Sequence, residues 1–210
     1  KALVSATPIE LNDPRFKEQN FKMIEIQPTF DYKKELWLHH TNNTLQALKT
    51  VLSKLDNEEA APLPICVFIN STDIIYSLMK QLDLLEDSAV FCAPKSVDKL
   101  KKNRFCNVYE EWNKDKMKRY NFFTSRFFNA VDMELEEQPH VIMLTDVYFA
   151  EHTMIDPYTD AIQIVGRFRN GVSSITYISN TQKGLPQRSK EEIKGYLICS
   201  KEIYLSLIHI

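Results

Sequence analysis

Residues Ile65-Cys66-Val67-Phe68-Ile69 are five apolar side chains in a row, with no polar alternation. A strand with one wet face alternates, whereas an unbroken run is the mark of a strand covered on both faces in a parallel sheet. The residues that follow agree. Asn70-Ser71-Thr72 offers capping side chains, and Ile74, Ile75, Leu78, Met79 and Leu82 recur at helical spacing. Further strand and helix signals then alternate. Residues 89–92 read as a second strand, 96–102 as a short basic helix, 120–123 as a third strand and 141–144 as a fourth. Asp156-Pro157 predicts a helix start, with Asp at the N-cap and Pro at the first helical position. That helix is expected to run to about Arg169, where Gly171 can close it at positive φ. Residues 174–179 read as a fifth strand. Ser189 with Glu192 forms a capping box that opens a last helix through about Leu205.

The N-terminal part is less regular. Residues 2–4 are a short apolar run, 11–20 a polar connector, and 21–26 and 36–39 plausible strands. Leu45, Leu48, Val51, Leu52 and Leu55 mark a helix behind Asn42 and Asn43, and 57–61 is an acidic loop. Strand, helix, strand with short connections predicts an α/β fold, a mostly parallel sheet with helices on both faces. In such folds chemistry collects at the carboxyl ends of the strands.

Glycine usage narrows the function. The 210 residues hold four glycines, Gly166, Gly171, Gly184 and Gly195, so residues 1–165 have none. A backbone cradle for phosphates needs glycines. The chain therefore carries neither GxxxxGK[ST] nor GxGxxG, which excludes a self-sufficient P-loop ATPase and a dehydrogenase with the usual dinucleotide fingerprint. It starts at Lys1, so a processed N-terminus or a longer protein is expected.

Net charge is -2, which gives no global basic field for nucleic acid. Two local clusters stand out, Lys99, Lys101, Lys102 with Arg104, and Lys114, Lys116, Lys118 with Arg119. They read either as solvated surface runs or as a phosphate-contacting rim. Cys66, Cys92, Cys106 and Cys199 lack metal-ligand spacing, and the five histidines form no HExxH array, so free thiols and no metal site are expected. The longest apolar run is far below the roughly 20 residues that span a bilayer, and no signal peptide is visible. The sequence reads as cytoplasmic, with no membrane partner.

Three polar segments follow strands or lie on helices. They are Ser5-Ala6-Thr7-Pro8, residues 124–132 and residues 160–169. On a helix, Gln163, Gly166, Arg167 and Asn170 share one face at 100° per residue. Gly166 costs about 1 kcal/mol there against alanine, so close approach of a backbone or ligand is expected. Arg167 beside it presents a planar fork that matches phosphate oxygens.

Gln163-x-x-Gly166-Arg167-x-Arg169 resembles motif VI of superfamily 2 (DEAD/DEAH-like) helicases. Thr124 to Asp132 resembles their motif V without a gap, Phe68-Ile69-Asn70-Ser71 their motif IV, and Ser5-Ala6-Thr7 their motif III. The four stand in the family's order over roughly residues 1–180. The resemblance implies a three-layer α/β/α RecA-like C-terminal lobe over 21–180. It would be preceded by the end of a first lobe and a linker over 1–20, and followed by a helical extension over 181–210. It implies a function as one lobe of an ATP-dependent helicase or translocase acting on DNA or RNA, inactive alone because the Walker A loop and DExD/H box belong to the other lobe. ATP and Mg²⁺ would be held mainly by that N-terminal RecA-like lobe.

The resemblance also assigns roles. Arg167 would be the arginine finger, Gln163 would order the γ-phosphate or the attacking water, and Arg169 would replace the second motif VI arginine, which falls on Asn170. Asp132 and Gly166 would lie at the nucleotide. Thr124, Ser125, Asn70 and Ser71 would hold nucleic-acid phosphates, and Ser5 and Thr7 would couple hydrolysis to lobe movement. Motif V has Ser125 where Asp is common and Ala130 where Gly is common. Each residue has a plainer reading too. Thr124, Ser125, Asn70 and Ser71 can cap helices, Asp132 can serve a turn, Ser5 and Thr7 a strand end, Arg167 a surface ion pair, and Phe127 and Phe128 the core rather than base stacking. The competing functions are a non-catalytic nucleic-acid-binding or protein-interaction domain derived from a helicase, and an unrelated α/β domain.

Overall fold

The computed structural model describes residues 14–26, 29, 33–57, 61–129, 131–180, 184 and 188–208. Ser5 and Thr7 lie outside the described residues, as does Ala130. Among the described residues, seven strands form one sheet: β1 Trp37–His40, β2 Ile65–Phe68, β3 Ser88–Phe91, β4 Val108–Tyr109, β5 Tyr120–Phe123, β6 His140–Thr145 and β7 Ser174–Ser179. Their order is β1-β7-β6-β2-β5-β3-β4, and every pairing is parallel. The helices are α1 Pro14–Glu18, α2 Thr44–Asp56, α3 Thr72–Gln81, α4 Pro94–Lys102, α5 Asp160–Gly166 and α6 Lys190–Ile208.

Successive residues of β2 point to opposite faces, and both faces are sealed. Ile65, Val67 and Ile69 join a core with Leu48 and Leu52 of α2, Ile75 and Met79 of α3, and Val97 and Leu100 of α4. Cys66 and Phe68 join a second core with Phe127, Phe128, Met133 and, from around α5, Ile164 and Phe168. The result is the three-layer α/β/α arrangement. Phe91, Phe123 and Phe68 stack across β3, β5 and β2 with ring centroids 4.9 and 5.0 Å apart. Such aromatic pairs contribute beyond the area they bury.

Capping follows the sequence. Asn43 accepts the Gln46 N–H at the start of α2, and Ser71 accepts the Ile74 N–H at the start of α3. The Ser189/Glu192 box is formed in both directions, at 2.7 and 3.2 Å. The chain divides into two compact units, the first ending at Asn180 and the second beginning at Thr181. The second contains α6, whose Ile193, Tyr196, Leu197 and Ile203 are exposed.

Several expectations change. Residues 21–26 form no strand, and Met23, Ile24 and Ile26 are exposed because the apolar alternation finds no neighbouring strand. Residues 14–18 of the expected connector are helical. The helix expected from Asp156 begins only at Asp160 and stops at Gly166, so Asn170 shares no helix face with Gln163. Asp156 instead makes a local turn, its Oδ1 accepting the Tyr158 N–H at 2.7 Å. Gly166 meets no close neighbour. A Cβ built there would find nothing within 4 Å, so no other backbone approaches it closely among the described residues.

Candidate nucleic-acid and phosphate interface

All strands being parallel, their carboxyl ends share one rim. Asn70 and Ser71 follow β2, Ala93 follows β3, Thr124 to Arg126 follow β5, and Asp146 follows β6. Asn70 ties three of these ends together. Its Nδ2 donates to the His152 carbonyl at 3.0 Å, and its Oδ1 accepts the Ser125 N–H at 3.4 Å. Around it lies an open cleft of about 250 Å³ lined by Asn70, Ser71, Ser96, Thr124, Ser125 and Arg126, among others. All four residues expected to hold nucleic-acid phosphates are therefore neighbours. Thr124 is mostly buried and makes no capping bond to the 3₁₀ turn Ser125–Phe127. Two helices, α3 and α4, start at this cleft, so their first-turn N–H groups border it together with the Asp73 carboxylate.

Of the two basic clusters, Lys99 pairs at 2.6 Å with Asp73, which lines the cleft. Lys101 and Lys102 end α4, which runs from the carboxyl rim back towards the start of β4, and Arg119 directly precedes β5. Lys101, Lys102 and Arg119 belong to the amino ends of the strands. Arg119 is a brace there, donating to Asp56 Oδ1 at 2.8 Å and to the carbonyls of Leu55 and Leu63. Tyr120 donates to the other Asp56 oxygen at 2.7 Å. Burial first, and then this bond, push the Tyr120 hydroxyl up to about 12. The arginine that lines the cleft is Arg126, within the 124–132 segment.

A second cluster lies where the segment after β5 meets the end of α5. Asp132 Oδ1 is 3.3 Å from Arg167 Nη1 and 2.7 Å from Arg169 Nη2. Arg167 also donates from Nε to the Gln163 carbonyl at 3.2 Å, from Nη2 to Gln163 Oε1 at 3.4 Å, and from Nη1 to the Asn129 carbonyl at 3.4 Å. Its side chain is only 15% exposed, against 48% for Arg169. The backbone explains how both arginines reach one carboxylate. Met133 N–H donates to the Arg167 carbonyl at 2.8 Å, and Arg169 N–H to the Met133 carbonyl at 3.3 Å, a parallel bridge between Met133 and Phe168. Phe168 turns into the core while its two neighbours face Asp132. Asn170 turns away, its Nδ2 donating to the Leu135 carbonyl at 2.7 Å. Gly166 ends the helix one residue before Arg167 and has no contact that gives it a part in the cluster.

Two residues outside the motif segments, Asp146 and His152, also stand at this rim. Asp146 is buried and accepts the Thr44 hydroxyl at 2.6 Å, locking the start of α2 to the end of β6. His152 borders the cleft. Both act through distant partners, which no local motif signals. Phe127 and Phe128 are core residues, not exposed stacking platforms.

Fold and site define an all-parallel α/β domain with a polar, helix-capped cleft at the carboxyl rim and a two-arginine cluster beside it. No protein-family model matches the sequence, and no curated protein matches it. Among solved structures, the fold is similar to the C-terminal domain of the DEAD-box protein Dbp5. The likeness has 14% identity and a TM-score of 0.42, and covers 72% of this chain and 77% of that one. Among the described residues there is no helix long and apolar enough to cross a membrane, and no group of three or more His, Cys, Asp or Glu side chains placed to hold a metal ion.

Proposed function

We propose that this chain is the C-terminal RecA-like lobe of an ATP-dependent nucleic-acid helicase or translocase. One observation carries the reading. A single segment, 124–132, lines the polar cleft with Thr124 and Ser125 at one end and holds Arg167 and Arg169 through Asp132 at the other. A motor needs such a segment, because the nucleic-acid contact and the hydrolysis site must move together.

The donors present suit phosphate. Two guanidinium groups offer planar, permanently charged N–H donors, and Gln163 adds a carboxamide. ATP, held mainly by a first lobe, would supply the γ-phosphate to be transferred to water. Arg167 and Arg169 would present their N–H groups to the charge that builds on it. Fingers of this kind in related NTPases are worth about 10³ to 10⁵ in rate. Arg169, half exposed, is the readier to do so, while Arg167 would exchange its Asn129 or Asp132 contact for a phosphate oxygen. Gln163 would orient the neighbouring guanidinium or the attacking water. Mg²⁺ would be held by the first lobe, since this cluster offers one carboxylate already bound by two arginines.

In the cleft, the Thr124 hydroxyl, the Ser71 hydroxyl, the Asn70 carboxamide and the Arg126 guanidinium would take successive backbone phosphates of a single strand. Such contacts position the strand without reading its sequence. Binding of single-stranded RNA and DNA to this chain, followed against salt, tests this half. Affinity should fall as salt rises and should drop on Thr124→Ala. Salt-independent binding, or none, would remove the nucleic-acid reading.

A further inference from the structure

We infer that Phe168 is a positioning residue that sets Arg167 and Arg169 in register with Asp132; the inference rests on the proposed function for its catalytic meaning. Phe168 stands between the two arginines and is 4% exposed. Its ring meets Phe68 edge to face, centroids 6.1 Å apart and planes at 89°. Phe68 in turn packs on Phe123 at 5.0 Å and Phe128 at 6.0 Å. Phe128 directly follows the Ser125–Phe127 turn that leads from the cleft.

The chain is free to leave the helix at Gly166, and two further constraints fix where it goes. One is the Phe168 ring in its aromatic pocket. The other is the bridge to Met133, made by the Met133 and Arg169 N–H groups. With the ring seated, the residue on either side emerges towards Asp132, and an Arg-x-Arg spacing delivers two guanidinium groups to one carboxylate. This would also let Arg169 serve in place of an arginine at 170. On a continuing helix, positions 167 and 169 would diverge by about 200°. On the bridge they converge. A smaller apolar group at 168 would loosen both arginines while leaving their charge intact.

Two measurements test the assignment. In this chain alone, Phe168→Leu should speed hydrogen exchange at the Met133 and Arg169 amides by about tenfold, with Val67 and Ile142 in the central strands unchanged. Equal acceleration at all four, or none at the first two, would reduce Phe168 to ordinary core. In the protein carrying both lobes, Phe168→Leu should lower ATPase kcat by about 10- to 100-fold, the scale of a misplaced catalytic group. Phe168→Met, closer in volume, should recover part of that loss. Added to the Arg167→Ala/Arg169→Ala double variant, Phe168→Leu should lower the residual rate no further, and an additional fall would overturn the assignment. If the double arginine variant keeps full ATPase activity, the motor reading fails, whereas an active Phe168→Leu beside an inactive arginine variant refutes the positioning role alone.

Discussion

Arg169 Nη2 lies 2.7 Å from Asp132 Oδ1, across 37 positions of sequence, and shares that oxygen with Arg167. The carboxylate is half exposed, so the ion pairs add little to stability. Their role is geometric. They hold two cations side by side at the end of the segment that begins in the cleft.

Asp132→Asn keeps the shape of the side chain and removes its charge. It should change the folding midpoint little, by less than about 1 kcal/mol, as for exposed pairs. In a protein carrying both lobes it should cost ATPase activity much as loss of an arginine does. Thermal unfolding and steady-state kinetics on the same preparation check both parts.

Asn70→Ala breaks the tie among the ends of β2, β5 and β6. Two hydrogen bonds go, to the His152 carbonyl and from the Ser125 N–H, and the groups left behind can reach water in the open cleft. The stability loss should be about 1 kcal/mol. The larger effect should be on nucleic acid, with weaker single-strand binding at every salt concentration, read by fluorescence anisotropy.

Phe123→Ala removes the middle ring of the stack Phe91–Phe123–Phe68 in a fully buried strand. Truncations of this kind cost about 3–5 kcal/mol. Chemical denaturation should show a loss on that scale, and the isolated chain should be close to unfolding.

At the amino ends of the strands, Tyr120 titrates at about 12 in the folded chain, raised from 10.0 by burial and by its bond to Asp56. Between those values the unfolded chain releases a proton that the folded chain keeps. The stability this provides is complete below pH 10 and is lost as pH rises towards about 12. Tyr120→Phe should remove this part of the alkaline decline, which urea unfolding at pH 9 and pH 11 measures.

The sheet was largely legible because burial on two faces writes unbroken apolar runs, as in residues 65–69 and 141–144. The two-residue strand β4 carries no such signal. Residues 21–26 carry an interrupted apolar pattern and form no strand, since a partner is something no local pattern encodes. Asp156-Pro157 misled because the cap signature is equally satisfied by a turn. The arginine geometry lay beyond the same signal: a helix continuing to about Arg169 would turn Arg167 and Arg169 to different sides, whereas the bridge to Met133 brings both to Asp132. That bridge joins positions 35 apart, Phe168 and Met133, and only the tertiary fold reveals it. The lysine clusters read as a phosphate rim by charge alone, but the direction of α4 and β5 puts Lys101, Lys102 and Arg119 at the other end of the sheet, while Lys99 pairs with Asp73 at the cleft.

The most direct test is the nucleic-acid-stimulated ATPase rate of the protein carrying both lobes, compared between the parent and the Arg167→Ala and Arg169→Ala variants. If these arginines complete a neighbouring lobe's triphosphate site, each variant loses at least about 100-fold in kcat while single-strand binding through the Thr124 cleft stays intact. Parental turnover in both variants would contradict it.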